Sequence, residues 1–177
     1  MKMYPNVGFL IISRDRKLDL VRKRIKEIKN QNFPASKIVV CVERPEFVTE
    51  TIEILKAEEI EHFNVVQLYD FDYDDIEIVD ECYRYCVAYM AVFESNYSIP
   101  KKFAGEFNNL LKQGHMITFM GPYDDQELSG MIIHCPIFKL LHGNKPVIHP
   151  DGTRDNRTFE ERVAEMTEEF EVKNENL

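Results

Sequence analysis

Apolar residues in this chain fall into short unbroken blocks, separated by stretches where they recur every three or four positions. VGFLII (Val7–Ile12) is the first block, the pattern of a strand buried on both faces. Leu18, Val21, Ile25 and Ile28 then recur at helical steps, and Asn30 through Pro34 end that helix. KIVVCV (Lys37–Val42) predicts a second buried strand. VTETIEILKAEEI (Val48–Ile60) predicts a second helix with Thr49 or Thr51 near its start, and FNVVQLY (Phe63–Tyr69) a third strand. A helix is expected from Ile76 to about Ala88, a fourth strand over YMAVF (Tyr89–Phe93), and a helix over Lys101–Lys112. MITFM (Met116–Met120) and SGMIIHC (Ser129–Cys135) predict later strands, and IFKLLHG a short helix closed by Gly143. An acidic helix over Thr158–Phe170 precedes a tail, 171–177, that is expected to fray. Strands alternating with helices of this length imply right-handed βαβ units and a parallel sheet. With no internal repeat and no low-complexity linker, the expectation is one α/β domain over residues 1–170.

Composition narrows the class. At 177 residues, 44% hydrophobic and 30% charged, the chain can bury one full core. Its longest apolar runs are strand-sized, far below the ~20 residues a membrane span needs. MKMYPNVGFLIIS lacks the long apolar region and small-residue cleavage site of a secretory signal. The cysteines (Cys41, Cys82, Cys86, Cys135) show no CxxC spacing. Cys82 and Cys86, one helical turn apart, read as buried free thiols rather than a metal site. A cytoplasmic, reducing setting is therefore expected. The net charge of −9 conceals a basic stretch, Arg14 to Lys29, in an otherwise acidic chain. That stretch reads first as a solvated helix face, and the acidic remainder disfavours general nucleic-acid binding.

Chemistry in an open α/β sheet gathers outside the carboxyl ends of the strands. Four segments have that address: SRDR after the first strand, VERPE after the second, DFDYDD after the third and ESN after the fourth. YDFDYDD (Tyr69–Asp75) holds two overlapping Asp-x-Asp triplets, a spacing suited to hard divalent cations. The plainer ESN competes with it.

The order of these segments resembles that of a small family 2-type glycosyltransferase of the GT-A fold. ISRDR (Ile12–Arg16) lies where such domains carry a Thr-Tyr-Asn-Arg-like turn, and QNFPASKIVV (Gln31–Val40) resembles their Gln-x-x-x-Pro segment and following strand. YMAVFESNYSIP resembles the signature strand ending in Asp-x-Asp, with Glu94 and Asn96 where the two aspartates stand. LSGMIIHCPIFKLLHGN resembles the acceptor-side strand and helix, and DNRTFEER (Asp155–Arg162) lies at the place of Glu-Asp-x-Asp-Leu-x-x-Arg. The resemblance spans residues 7 to 162. It implies a three-layer α/β/α sandwich with a mostly parallel central sheet, and a nucleotide-diphospho-sugar donor. It places Ser13, Arg14, Arg16, Glu43, Glu94 and Ser95 on the nucleotide. A divalent metal (Mn or Mg) would be held by Glu94 and Asn96, with His149 in VIHPDG as a third ligand, and would neutralise the diphosphate leaving group. Asp155, or Asp151, would take the acceptor proton, and inversion at the anomeric carbon is implied.

By the same comparison YDFDYDD becomes a solvated acidic loop bordering the nucleotide cleft. Two departures stand out: Asn96 and Asn156 put amides where the family has carboxylates, one at the metal and one at the base. They motivate the alternative of a noncatalytic nucleotide-sugar or glycan-binding module on the same fold. A nucleotidyltransferase would favour a Gly-rich phosphate loop after the first strand, and ISRDRK has no glycine. The acceptor class, whether lipid, glycan, protein or modified DNA, stays open. His134 reads as a core or wall histidine, Asp124–Asp125 as turn residues, and Phe9, Phe63 and Phe93 as core.

Overall fold

A computed structural model describes residues 7–14, 18–32, 34–68, 75–112, 119–120, 129–136, 147–148, 151–155 and 161. The first apolar block forms β1 (Val7–Ser13), buried along its whole length. It is the centre of a six-stranded sheet in the order β3-β2-β1-β4-β6-β5. β2 (Lys37–Val42), β3 (Phe63–Gln67) and β4 (Tyr89–Glu94) run parallel to one another and to β1. β6 (Met131–His134) runs antiparallel to β4, and β5 (Phe119–Met120) antiparallel to β6. The sheet is thus mostly parallel, as expected, with its departures on one side. A separate antiparallel ribbon joins β7 (Val147–Ile148) to β8 (Arg154–Asp155).

Alternation along β1 divides the core into two. Val7, Phe9 and Ile11 face one layer, where they meet Val21, Ile25 and Ile28 of α1 (Leu18–Lys29). Ile54 and Leu55 of α2 (Pro45–Ala57) and Phe107 of α4 (Phe103–Lys112) complete that layer. Leu10 and Ile12 face the other, against Ile78, Val79 and Cys82 of α3 (Asp75–Cys82). Each such aliphatic side chain taken fully from water contributes roughly 1.5–3 kcal/mol. The result is the α/β/α sandwich. Phe9 and Phe93 stack on the first face with Phe103 tilted against both, while Phe63 packs half-buried at its rim.

Several boundaries differ from the sequence expectation for identifiable reasons. α2 begins at Pro45 rather than Val48, because proline suits the first helical turn, where its missing N–H is no loss. Thr51 is consequently a buried interior residue and not a cap. α3 ends at Cys82 and passes into a 3-10 turn, Tyr83–Tyr85, before β4. Gly8 lets that connection close: a Cβ there would run into the Cys86 sulfur. All four cysteines are buried and free. Contact with Cys41 and burial raise the Cys82 thiol, while burial pushes Cys86 to about 11 and Cys135 to about 12. Neutral thiols in an apolar layer behave as small hydrophobes and offer no thiolate chemistry.

The basic stretch is only partly a solvated face. Lys26 and Lys29 reach Glu58 at 3.7 and 3.8 Å, and Lys29 also donates to the Glu58 carbonyl. Arg24 turns inward and is 2% exposed. Among the described residues, no helix is long and apolar enough to cross a membrane. The short helix expected at IFKLLHG and the tail at 171–177 lie outside the described residues, as does the helix over 158–170 apart from Glu161.

Candidate functional site

The order of connections defines where a ligand would sit. From β1 the chain steps outward through α1 to β2 and through α2 to β3, with both helices on one face. It then returns past β1 to β4, with α3 on the opposite face. β1 and β4 therefore flank the reversal, and a crevice opens outside their carboxyl ends.

The register brings the candidate residues to that edge. Ser13 pairs with Val42 at the end of β2, and Ile12 pairs with Glu94 at the end of β4. Ser13, Arg14, Glu43, Glu94 and Ser95 consequently line one rim. Ser13 and Ser95 are buried, Arg14, Glu43 and Glu94 half-buried. Arg14 donates from Nε to Glu94 Oε1 at 2.8 Å, joining two segments 80 residues apart. The pair has 28% and 16% of its side-chain surfaces exposed, so it sits in the mouth of the crevice. A charge-assisted bond of this length is among the stronger polar contacts a protein makes.

Backbone bonds hold the end of β4 rigid. Ser95 N–H donates to the Ile12 carbonyl at 2.9 Å, and Glu94 N–H donates to Ser129 Oγ at 2.9 Å. Tyr97 N–H closes the turn onto the Glu94 carbonyl. Ser129 was not singled out in the sequence; its only signal is its place just before the apolar run of β6.

Behind the turn lies a second polar group. Glu27 Oε2 accepts from Ile99 N–H at 2.9 Å, and Arg24 Nη1 lies 3.2 Å from the same oxygen. Gln31 donates from Nε2 to the Pro100 carbonyl at 2.9 Å and accepts at Oε1 from Ala104 N–H at 3.1 Å. α1 thus clamps the segment 99–104 that follows the ESN turn, and Gln31 caps the first turn of α4 from outside it. Arg24 Nε finds no hydrogen-bond partner among the described residues.

The other candidates are placed differently. Asn96 is exposed in the turn beyond Glu94. Asp151 is exposed, and its Oδ1 accepts from Thr153 N–H at 2.9 Å and Thr153 Oγ1 at 2.6 Å, a local turn. Asp155 lies on β8, paired with Val147, rather than in a loop. Arg16, His149, Asn156 and residues 69–74 of the acidic run lie outside the described residues. His134 is half-buried against the Tyr89 ring, and burial lowers its pKa from the ordinary 6.5.

Divalent-ion binding can be tested against these positions. Among the described residues no three His, Cys, Asp or Glu side chains converge. Glu94, at the rim of β4, already carries a guanidinium on Oε1. A hard cation prefers several oxygen ligands and a net negative site, and the described residues do not supply that set.

No protein-family profile and no curated protein sequence matches the chain. Solved structures do match in fold. A mannosyltransferase from Pyrobaculum calidifontis in complex with GDP-Man and Mn2+ superposes with a TM-score of 0.60 at 10% identity, over 81% of this chain and 48% of that one. TarS of S. aureus matches with a TM-score of 0.56 at 12% identity, over 76% of this chain and 29% of that one. Its 1–349 form in complex with UDP matches with a TM-score of 0.58 at 10% identity, over 76% and 48%. The fold is therefore the GT-A-like sandwich of solved glycosyltransferases. The chain spans about half or less of the length of these structures.

Proposed function

We propose that the protein is a glycosyltransferase moving a sugar from a nucleotide-diphosphate donor to an acceptor hydroxyl. One observation carries the reading: Ser13, Arg14, Glu94 and Ser95 meet at the β1/β4 reversal, with Glu43 at the adjoining end of β2, in a fold shared with transferases solved with GDP-Man and with UDP. On this reading the buried Ser13 and Ser95 shape the floor of the donor crevice, and Glu43 faces the nucleoside. Arg14, with Arg16 alongside it in sequence, meets the diphosphate, whose charge must be neutralised as the sugar departs.

Asp155 and Asp151 are the candidates for the base that removes the acceptor proton. Thr153 already occupies Asp151 Oδ1, so we place the base at Asp155. A base opposite the leaving group gives inversion at the anomeric carbon. A divalent ion held by Glu94 and Asn96, with His149 as a third ligand, would supply Lewis-acid neutralisation. The Mn2+ complex of the mannosyltransferase supports that component, and the Arg14–Glu94 pair weighs against it.

The test is a panel of nucleotide sugars with an acceptor panel, with and without Mn2+, read as release of nucleoside diphosphate. Turnover is expected, abolished in Glu94→Ala and reduced about 10²–10⁴-fold in Asp155→Asn. Asp70→Asn combined with Asp72→Asn should leave it largely intact. Nucleotide binding without turnover under every condition favours the second reading, a noncatalytic nucleotide-sugar or glycan-binding module, which the amides at Asn96 and Asn156 motivate. Absence of nucleotide binding overturns both.

A further inference from the structure

We propose that Arg14 is the cation of the donor site, held in place by Glu94, so that a nucleoside diphosphate binds without a divalent metal. The proposal rests on the donor-site reading above and assigns a different role to Glu94, from metal ligand to positioning residue.

The contact geometry motivates it. Glu94 accepts the Nε–H of Arg14 at 2.8 Å. A guanidinium gripped at Nε is fixed in its plane, and the rest of its N–H donors sit on the terminal nitrogens, in the fork that matches phosphate oxygens. The carboxylate doing the gripping is itself fixed. Its backbone N–H is held by Ser129, and the next residue's N–H is held by the Ile12 carbonyl at the end of β1. Strand pairing therefore carries both partners: Ile12, two residues before Arg14, is registered directly against Glu94.

Charge argues the same way. A carboxylate neutralised by a guanidinium is a poor cation ligand, and the neighbouring Asn96 adds an amide oxygen without charge. Among the described residues no third acid, histidine or cysteine converges on them. A diphosphate carries more negative charge than a single carboxylate, so it would draw on the same guanidinium without displacing Glu94 from Nε. The ligand class follows: nucleoside diphosphates in preference to monophosphates, with the terminal phosphate next to Arg14.

Isothermal titration of UDP, GDP, CDP and UMP, in EDTA and in Mn2+, tests this with wild type and four variants. The expected result is diphosphate binding in EDTA within a few-fold of that in Mn2+. Arg14→Ala should weaken diphosphate binding about 10- to 100-fold, the range of a lost charged hydrogen-bond pair, and UMP binding much less. Arg14→Lys should fall between, having charge but no fork. Glu94→Gln keeps a neutral oxygen for Nε and should weaken binding less than Glu94→Ala, which loosens Arg14 altogether. Thermal melts confirm that each variant is folded. Binding that requires Mn2+ and falls equally in Glu94→Gln and Glu94→Ala would overturn the role of Arg14 and leave the donor site standing. No binding of any diphosphate in either buffer would overturn the donor site as well.

Discussion

Two arginine–glutamate pairs frame the end of β4, and they are built for different work. Arg24–Glu27 lies within one helix, with its guanidinium 2% exposed and its carboxylate tied to the Ile99 N–H behind the ESN turn. Arg14–Glu94 bridges two strands at the mouth of the crevice, with both side chains partly open to solvent. A buried ion pair gains little net stability over an apolar one, yet removing one partner strands a charge. In a partly exposed pair, a partner left behind is still reached by water, so losing the other costs less. The first arrangement holds a loop; the second presents a cation. Arg14 and Arg24 belong to one basic stretch of the sequence, which hides this division of labour.

Breaking the clamp should give the largest effect. Glu27→Ala removes the acceptor for Ile99 N–H and leaves the Arg24 guanidinium unpaired, a loss of about 3 kcal/mol in denaturant unfolding. Gln31→Ala orphans the Ala104 N–H and the Pro100 carbonyl and should cost about 2 kcal/mol. Neither change should alter the preference for UDP over UMP in the population that stays folded. Arg14→Ala, by contrast, should cost about 1 kcal/mol or less in stability while removing that preference. A large stability loss from Arg14→Ala with the UDP preference retained would reverse the comparison.

The pH dependence of stability supplies the smallest and most separable effect, because His134 belongs to neither pair. Burial lowers its pKa in the folded state from the ordinary 6.5, and its buried Nδ1 has no hydrogen-bond partner among the described residues. The unfolded chain therefore takes up the proton first. Stability from this group is full above about 6.5 and is lost as pH falls through the lower folded value. His134→Phe keeps a ring against Tyr89, whose centroid lies 4.9 Å away, and should remove this part of the acid-side loss. Unfolding titrations between pH 7 and 5 with wild type and variant measure the difference.

Much of the parallel half of the sheet was legible in the sequence. Unbroken apolar runs identify strands buried on both faces, and β1, β2, β3 and β4 start where those runs start. The address of Glu94 followed from strand order alone. Long-range polar contacts were not legible, because nothing local marks them: Arg14 meets Glu94 across 80 residues, and Gln31 meets Ala104 across 73. The antiparallel direction of β6 was also hidden, since four apolar residues read the same in either direction. Pro45 did signal the start of α2, but the apolar periodicity beginning at Val48 concealed it. In the β7–β8 ribbon, Arg154 and Asp155 pair with a strand of two residues, too short to show alternation. The base candidate there rests on the resemblance of DNRTFEER to the family motif and not on a contact of its side chain.

On the proposed reading a nucleoside diphosphate occupies the carboxyl edge of β1 and β4. Amide chemical-shift mapping on isotopically labelled protein during UDP and GDP titration tests it most directly. The largest shifts should fall on Ser13, Arg14, Glu43, Glu94, Ser95 and Asn96, with Gln31 and Thr51 unmoved. Saturable shifts centred on another edge of the sheet, or no shifts at all, would contradict it.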